Sequence, residues 1–168
     1  MSQSVEEFLQ NLQGQLNYDN SPIAIVLAAG HGKRIKSNTS KMLHEIWGKP
    51  TATRVINAAA KGLKSNNTIS VVGIKAMAVA EAIGHSEKGM FAYQKEQLGT
   101  GHAAMVALDL IKAKENIGDI FIFPGDMGLL TPAVVTDLKN AFDDSAAGMM
   151  ILTGVYEGDP DENHYGRI

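Results

Sequence analysis

From residue 23 onward the chain alternates short, wholly apolar runs with stretches whose apolar residues recur every three to four positions. A run such as IAIVL (23–27) offers no polar side to solvent, so it predicts a strand buried on both faces. Comparable runs follow at ISVVGI (69–74), MFAYQ (90–94), DIFIF (119–123) and GMMILTGVY (148–156), which makes five expected strands. Between them the spacing predicts helices over 51–64, 75–84, 101–113 and 132–142, the last with Pro132 in its first turn. The expected core-facing residues are Val55, Ile56, Ala59 and Leu63 on the first of these, and Ala104, Met105, Leu108 and Ile111 on the third. Strands separated by helices imply an α/β fold, a mostly parallel, Rossmann-like sheet with helices on both faces. Ligands of such sheets sit beyond the carboxyl ends of the strands. The residues just after each apolar run are therefore the candidates for function.

Ahead of this pattern, SVEEFLQNLQGQL (4–16) predicts a helix. Ser4 and Glu7 have the spacing of a capping box, and Val5, Phe8, Leu9, Leu12 and Leu16 form one apolar stripe. Residues 1–20 are read as a helical extension packed on a single domain formed by 21–168. The 168 residues suffice for one core. A net charge of −3 gives no general attraction to nucleic acid or to an acidic membrane, so any anion site must be local. Without cysteine there can be no disulfide or thiolate metal site, and a cytoplasmic setting is expected. No apolar run approaches the roughly 18 residues of a membrane span, and the first ten residues do not read as a signal peptide. Trp47 and most of the eight methionines are read as core fillers.

Three stretches carry the chemistry. In IVLAAGHGKR (25–34) small residues follow the first strand, which lets backbone N–H groups approach an anionic ligand, and Lys33, Arg34 and later Lys41 supply positive charge. Neither GxxxxGK[ST] nor GxGxxG fits, and a glycine-rich turn with solvated cations reads equally well. In QKEQLGTGHAA (94–104) the amides of Gln94 and Gln97 suit the edge of a base, while the glycines would also serve as a plain turn into a helix. Gly99, Gly101 and Ala104 fit a dinucleotide fingerprint, but the first strand lacks the glycines an NAD(P) site needs. His102 is read as a structural residue of that helix's first turn. In FPGDMGLL (123–130) Asp126 follows a buried strand, where a carboxylate either ligates Mg²⁺ or serves as a turn residue.

Together these stretches resemble the sugar-nucleotide pyrophosphorylases. LAAGHGKRIKSNTSKMLHEIWGKP is similar to their LAAGxGTRMxSxxPKxLxxIxGKP signature, and DIFIFPGDMGLL to a strand ending in GDxPLL. QKEQLGTGHA and the terminal YGRI resemble the bacterial N-acetylglucosamine-1-phosphate uridylyltransferases more narrowly. The resemblance implies a nucleotidyltransferase domain over 21–168 that transfers a uridylyl group from UTP to N-acetylglucosamine 1-phosphate, with Mg²⁺ as cofactor. It implies that Leu27, Ala28, Ala29, Gly30 and Gly125 contact the nucleotide. Arg34 and Lys41 would hold the triphosphate, and Gln94, Gln97, Gly99 and Thr100 would recognise uracil. Asp126 would bind the metal, and Gly166 would lie near the sugar.

No nucleic-acid or membrane partner is implied, and a homo-oligomer is allowed for. Lys33, Ser40, Pro124 and Gly128 depart from the family pattern. Against that pattern the chain also stops short on its C-terminal side, so binding of nucleotide with poor turnover is expected. The alternatives are a relative that uses another sugar phosphate or base, and an inactive nucleotide-binding fragment.

Overall fold

The strand β1 (Ile23–Ala28) lies at the centre of the molecule, with Ile23, Ala24, Ile25, Val26 and Ala28 buried. The computed structural model describes residues 3–30, 40–155 and 157–158. Two strands flank β1, both parallel to it: β4 (Thr68–Val72) and β6 (Ile120–Pro124). β5 (Gly89–Tyr93) adds to β4, and the sheet runs β5-β4-β1-β6. The fully apolar sequence of β1 follows from this position, because neighbours cover both its edges and helices cover both its faces.

One face carries Ala24, Val26, Phe121 and Phe123. It packs on α2 (Thr51–Leu63) and α5 (Pro132–Asp143) through Val55, Ala59, Leu63 and Val135. The same face continues over Ala28, Val72 and Phe91 to α3 (Ala76–Ile83) and α1 (Val5–Leu12). α1 begins at the expected capping box, with both reciprocal hydrogen bonds of Ser4 and Glu7 formed. The opposite face, with Ile23, Ile25, Ile69 and Val71, packs on α4 (Thr100–Asp109).

Three expectations are corrected. Residues 148–155 form no strand, and the four-stranded sheet ends at β6. The apolar run permits a strand, but it makes no ladder with the open edge of β6. Secondly, α4 turns Ala103 and Ala107 to the sheet, while Met105 is 57% exposed; Ile111, just past the helix end, is buried as expected. The helix is apolar nearly all round, so periodicity could not fix its phase. The sheet beneath is already filled by isoleucines and valines, and the alanine side packs closest. Thirdly, Trp47 is exposed, as are Met77, Met105, Met127 and Met149, whereas Met42 is buried. Trp47 sits at the tip of a hairpin that the sequence did not announce, β2 (Glu45–Ile46) and β3 (Lys49–Pro50). Trp47 and Gly48 both adopt positive φ there. The Arg54 guanidinium lies 4.6 Å from the centroid of the indole. Among the described residues no helix is long and apolar enough to cross a membrane.

Candidate functional site

The strand order reverses between β1 and β6: the chain builds outward from β1 through β4 to β5, then returns to β1's other side. A crevice opens at the carboxyl ends of strands where such a reversal occurs. The small-residue turn after β1 and the Asp126 turn after β6 meet there. Gly125 N–H donates to the Leu27 carbonyl at 2.9 Å, which carries the β1–β6 pairing one step beyond the strands. A Cβ at Gly125 would come within 2.9 Å of that oxygen and 3.1 Å of Met42 Sδ, so only glycine fits without a shift.

Lys41 reaches the same place from a separate segment. It opens a short 3₁₀ turn, Lys41–Leu43, whose first N–H groups are capped by Ser40 and whose centre, Met42, is buried. Thr51 Oγ1 donates to the Lys41 carbonyl at 2.9 Å and ties the turn to the start of α2. The lysine stem passes 4.0 Å from where a Gly30 Cβ would stand, and its Nζ forms an ion pair with Asp126 Oδ2. Both side chains remain partly exposed, at 28% and 37%. A carboxylate that already holds an ammonium group suits a divalent cation in chemistry and charge. Among the described residues no three His, Cys, Asp or Glu residues cluster as a ready metal site. A cation at Asp126 would therefore need further ligands, such as phosphate oxygens.

The turn bearing Asp126 is braced by a residue the sequence did not single out. Arg54, on α2, donates Nε to the Gly128 carbonyl at 2.6 Å and Nη1 to the Ile46 carbonyl at 3.4 Å. It joins the hairpin to the Asp126 turn. Gly128 departs from the family pattern, and its packing explains why glycine serves here. A Cβ on this backbone would stand 2.7 Å from Ile46 Cδ1 and 2.8 Å from Thr51 Cγ2.

The second group of candidates lies after β5. Gln94 is buried, and its backbone N–H donates to Val72 O. Its Nε2 lies 3.1 Å from the Gly99 carbonyl and 3.1 Å from His102 Nδ1. Gln97 is exposed and donates Nε2 to the Gln94 carbonyl at 3.1 Å. Gly99 holds φ +98°, a left-handed conformation suited to glycine, as it leads into α4. Gly99 and Thr100 are both exposed.

Gly73, another residue the sequence reading passed over, connects the two groups. A Cβ there would lie 2.5 Å from Gln97 Nε2 and 2.9 Å from both Ala29 Cβ and Ala29 O. The turn after β1 and the glutamine loop thus approach one another only because residue 73 has no side chain. An open groove of about 500 Å³ runs beside this contact, lined in part by Gly73, Ile74, Tyr93, Lys95 and Gln97. Arg34, Lys33, His31 and Gly166 lie outside the described residues. Leu27, Ala28, Ala29, Gly30, Lys41, Gly125 and Asp126 therefore form one cluster, and Gln94, Gln97, Gly99 and Thr100 a second, with Gly73 between them.

Comparison with known proteins shows the family and the fold. The sequence profile described as the MobA-like NTP transferase domain matches residues 24–162. The bifunctional protein GlmU of Thermoanaerobacter pseudethanolicus is 39% identical over 146 residues, which is 87% of this chain and 30% of that protein. The protein of the same name from Limosilactobacillus reuteri is 38% identical over 145 residues, or 86% of this chain and 30% of its own. The chain thus spans about a third of the length of these curated relatives. Among solved structures, a nucleotidyl transferase from Methanothermobacter superposes with a TM-score of 0.61 at 20% identity. That match covers 72% of this chain and 57% of that one. A CMP:2-keto-3-deoxy-manno-octonic acid synthetase complexed with CTP gives 0.54 at 20% identity, covering 76% and 49%. These structures share the fold.

Proposed function

The chain belongs to the MobA-like NTP transferase domain family, and from that premise we propose that its carboxyl-end crevice transfers a uridylyl group from UTP to N-acetylglucosamine 1-phosphate. The observation that carries the reading is the Lys41–Asp126 pair at the β1–β6 reversal, beside a turn made of Ala28, Ala29 and Gly30. An ammonium and a carboxylate held together there are the two charges a nucleoside triphosphate with its cation requires.

A phosphate oxygen of the sugar 1-phosphate attacks the α-phosphorus of UTP. The bond from that phosphorus to the bridging oxygen breaks, and pyrophosphate leaves with the electron pair. The nucleophile is already ionised near neutrality, since a phosphate monoester's second pKa is about 6. No general base is required, and the rate rests on positioning and charge neutralisation. Lys41 Nζ would turn from Asp126 to the phosphates, while the small residues after β1 let the backbone lie against the nucleotide. Asp126 would hold the metal end, Gly125 would lie against the nucleotide, and Gln94, Gln97, Gly99 and Thr100 would hold the base. Mg²⁺, when bound at Asp126, would supply charge neutralisation at the phosphates.

Calorimetric titration with UTP, CTP, ATP and GTP in Mg²⁺ tests the reading, followed by a pyrophosphate-release assay with N-acetylglucosamine 1-phosphate. Selective UTP binding and sugar-dependent release are expected. Indifference to the base would overturn uridylyl transfer and leave a general nucleotide site. Release with a different sugar phosphate only would reassign the acceptor.

A further inference from the structure

The uracil contact proposed for Gln94 leaves open what makes its amide present the correct end. Nε2 of Gln94 stands 3.1 Å from the Gly99 carbonyl oxygen, and a carbonyl can only accept. The NH₂ end of Gln94 therefore points inward, towards α4. Its second neighbour is His102 Nδ1, also at 3.1 Å. With one proton given to Gly99, the other points at this ring nitrogen, which must then carry a lone pair, so the ring proton resides on Nε2. Both donors of Gln94 are consumed, and Oε1 is the end left to face a ligand. Gln97 is turned the same way, its Nε2 given to the Gln94 carbonyl at 3.1 Å. Gln94 withholds both donors and offers an acceptor, and Gln97 keeps one of its two donors from the ligand.

We infer that His102 is a positioning residue for base selection: its Nδ1 lone pair locks the Gln94 amide with Oε1 outward, and this selects a base whose ring nitrogen carries a proton. This deepens the uridylyl reading and rests on it. The N3–H of uracil meets the Oε1 acceptor, whereas the bare N3 of cytosine sets acceptor against acceptor. Without a partner at Nδ1, only Gly99 opposes rotation of the amide, and the NH₂ end becomes available to cytosine.

The experiment measures the ratio of UTP to CTP affinity by calorimetry in Mg²⁺ for the wild-type chain, His102→Leu and His102→Asn. Leucine removes the acceptor, while asparagine offers Oδ1 close to where Nδ1 stood. The wild-type chain is expected to prefer UTP. His102→Leu should lower the ratio about tenfold, the size of one hydrogen bond at roughly 1.4 kcal/mol, and His102→Asn should restore most of it. A UTP-selective wild type whose ratio is unchanged in His102→Leu would overturn the role of His102 alone. An equal fall in both variants would do the same, because it would mark loss of packing. A wild type that binds UTP and CTP equally would overturn this inference and the uridylyl reading together.

Discussion

Lys41 and Asp126, 85 residues apart in sequence, neutralise one another at the surface. A pair this exposed contributes about 0–1 kcal/mol to stability. Its effect on a bound triphosphate is larger, because a charged hydrogen bond to phosphate is worth about 1.5–3 kcal/mol. Lys41→Met should therefore shift Tm by no more than a few degrees yet weaken UTP binding by tenfold or more, as a thermal melt and a calorimetric titration would show together. Asp126→Ala should abolish the dependence of UTP binding on Mg²⁺, read as equal affinity with and without the metal. A large drop in Tm for either variant would mean that the pair is structural. Asp126 was legible in the sequence, because a charge placed just after a buried apolar strand stands out, whereas Lys41 stood out as a later cation of the small-residue stretch and through the family resemblance. Gly73 and Arg54 were not legible. Each acts through a neighbour distant in sequence, and that neighbour appears only when the chain is folded.

At the scale of elements, the regular pieces followed from local signals where one residue type had one physical use. Ser4 and Glu7 mark the start of α1 by reciprocal hydrogen bonds, and Ser4→Ala should cost about 1 kcal/mol. Pro132 marks the first turn of α5, and the structure adds a one-way cap there, with Thr131 Oγ1 accepting from Val134 N–H. The crossing of α2 and α5 was not legible. Gly62 lies on α2 where a Cβ would stand 2.5 Å from Val135 Cβ and 2.7 Å from Pro132 O. Helix propensity alone makes Gly62→Ala stabilising by about 1 kcal/mol. The contact with α5 opposes this, since overpacking of a close crossing costs about 1–3 kcal/mol. Backbone cannot yield as a flexible side chain can, so the contact wins and Tm should fall by several degrees in a thermal melt. A rise in Tm would show that α5 shifts freely. The phase of α4 was misread for a related reason. Its apolar residues surround the helix, and only the filled sheet beneath decides which side fits.

At the scale of the whole molecule, the sheet has one covered edge region and one open one. α4 shields Ile23, Ile25, Ile69 and Val71, but β6 lies beyond its reach. Ile120 and Ile122, on that same face, are 39% and 46% exposed. Residues 148–152 line an apolar cavity of about 450 Å³ with them, yet make no ladder to the strand. A strand requires a partner at a fixed spacing, and an apolar sequence supplies only the willingness to be buried. This is why the expected fifth strand failed while β1, flanked on both sides, was predicted correctly. Amides with no ladder exchange with solvent through small local openings, whereas those of a central strand need near-global unfolding. In hydrogen exchange read by mass spectrometry, residues 148–155 should exchange within seconds and residues 23–28 orders of magnitude more slowly. The same exposed apolar surface should bind a hydrophobic dye such as anilinonaphthalene sulfonate in the native state. Ile122→Ser should reduce that fluorescence, since it removes an exposed apolar group and leaves the core side of β6, Phe121 and Phe123, in place. Slow exchange at 148–155 with weak dye binding would instead mean that the segment pairs with β6 in solution and completes the edge.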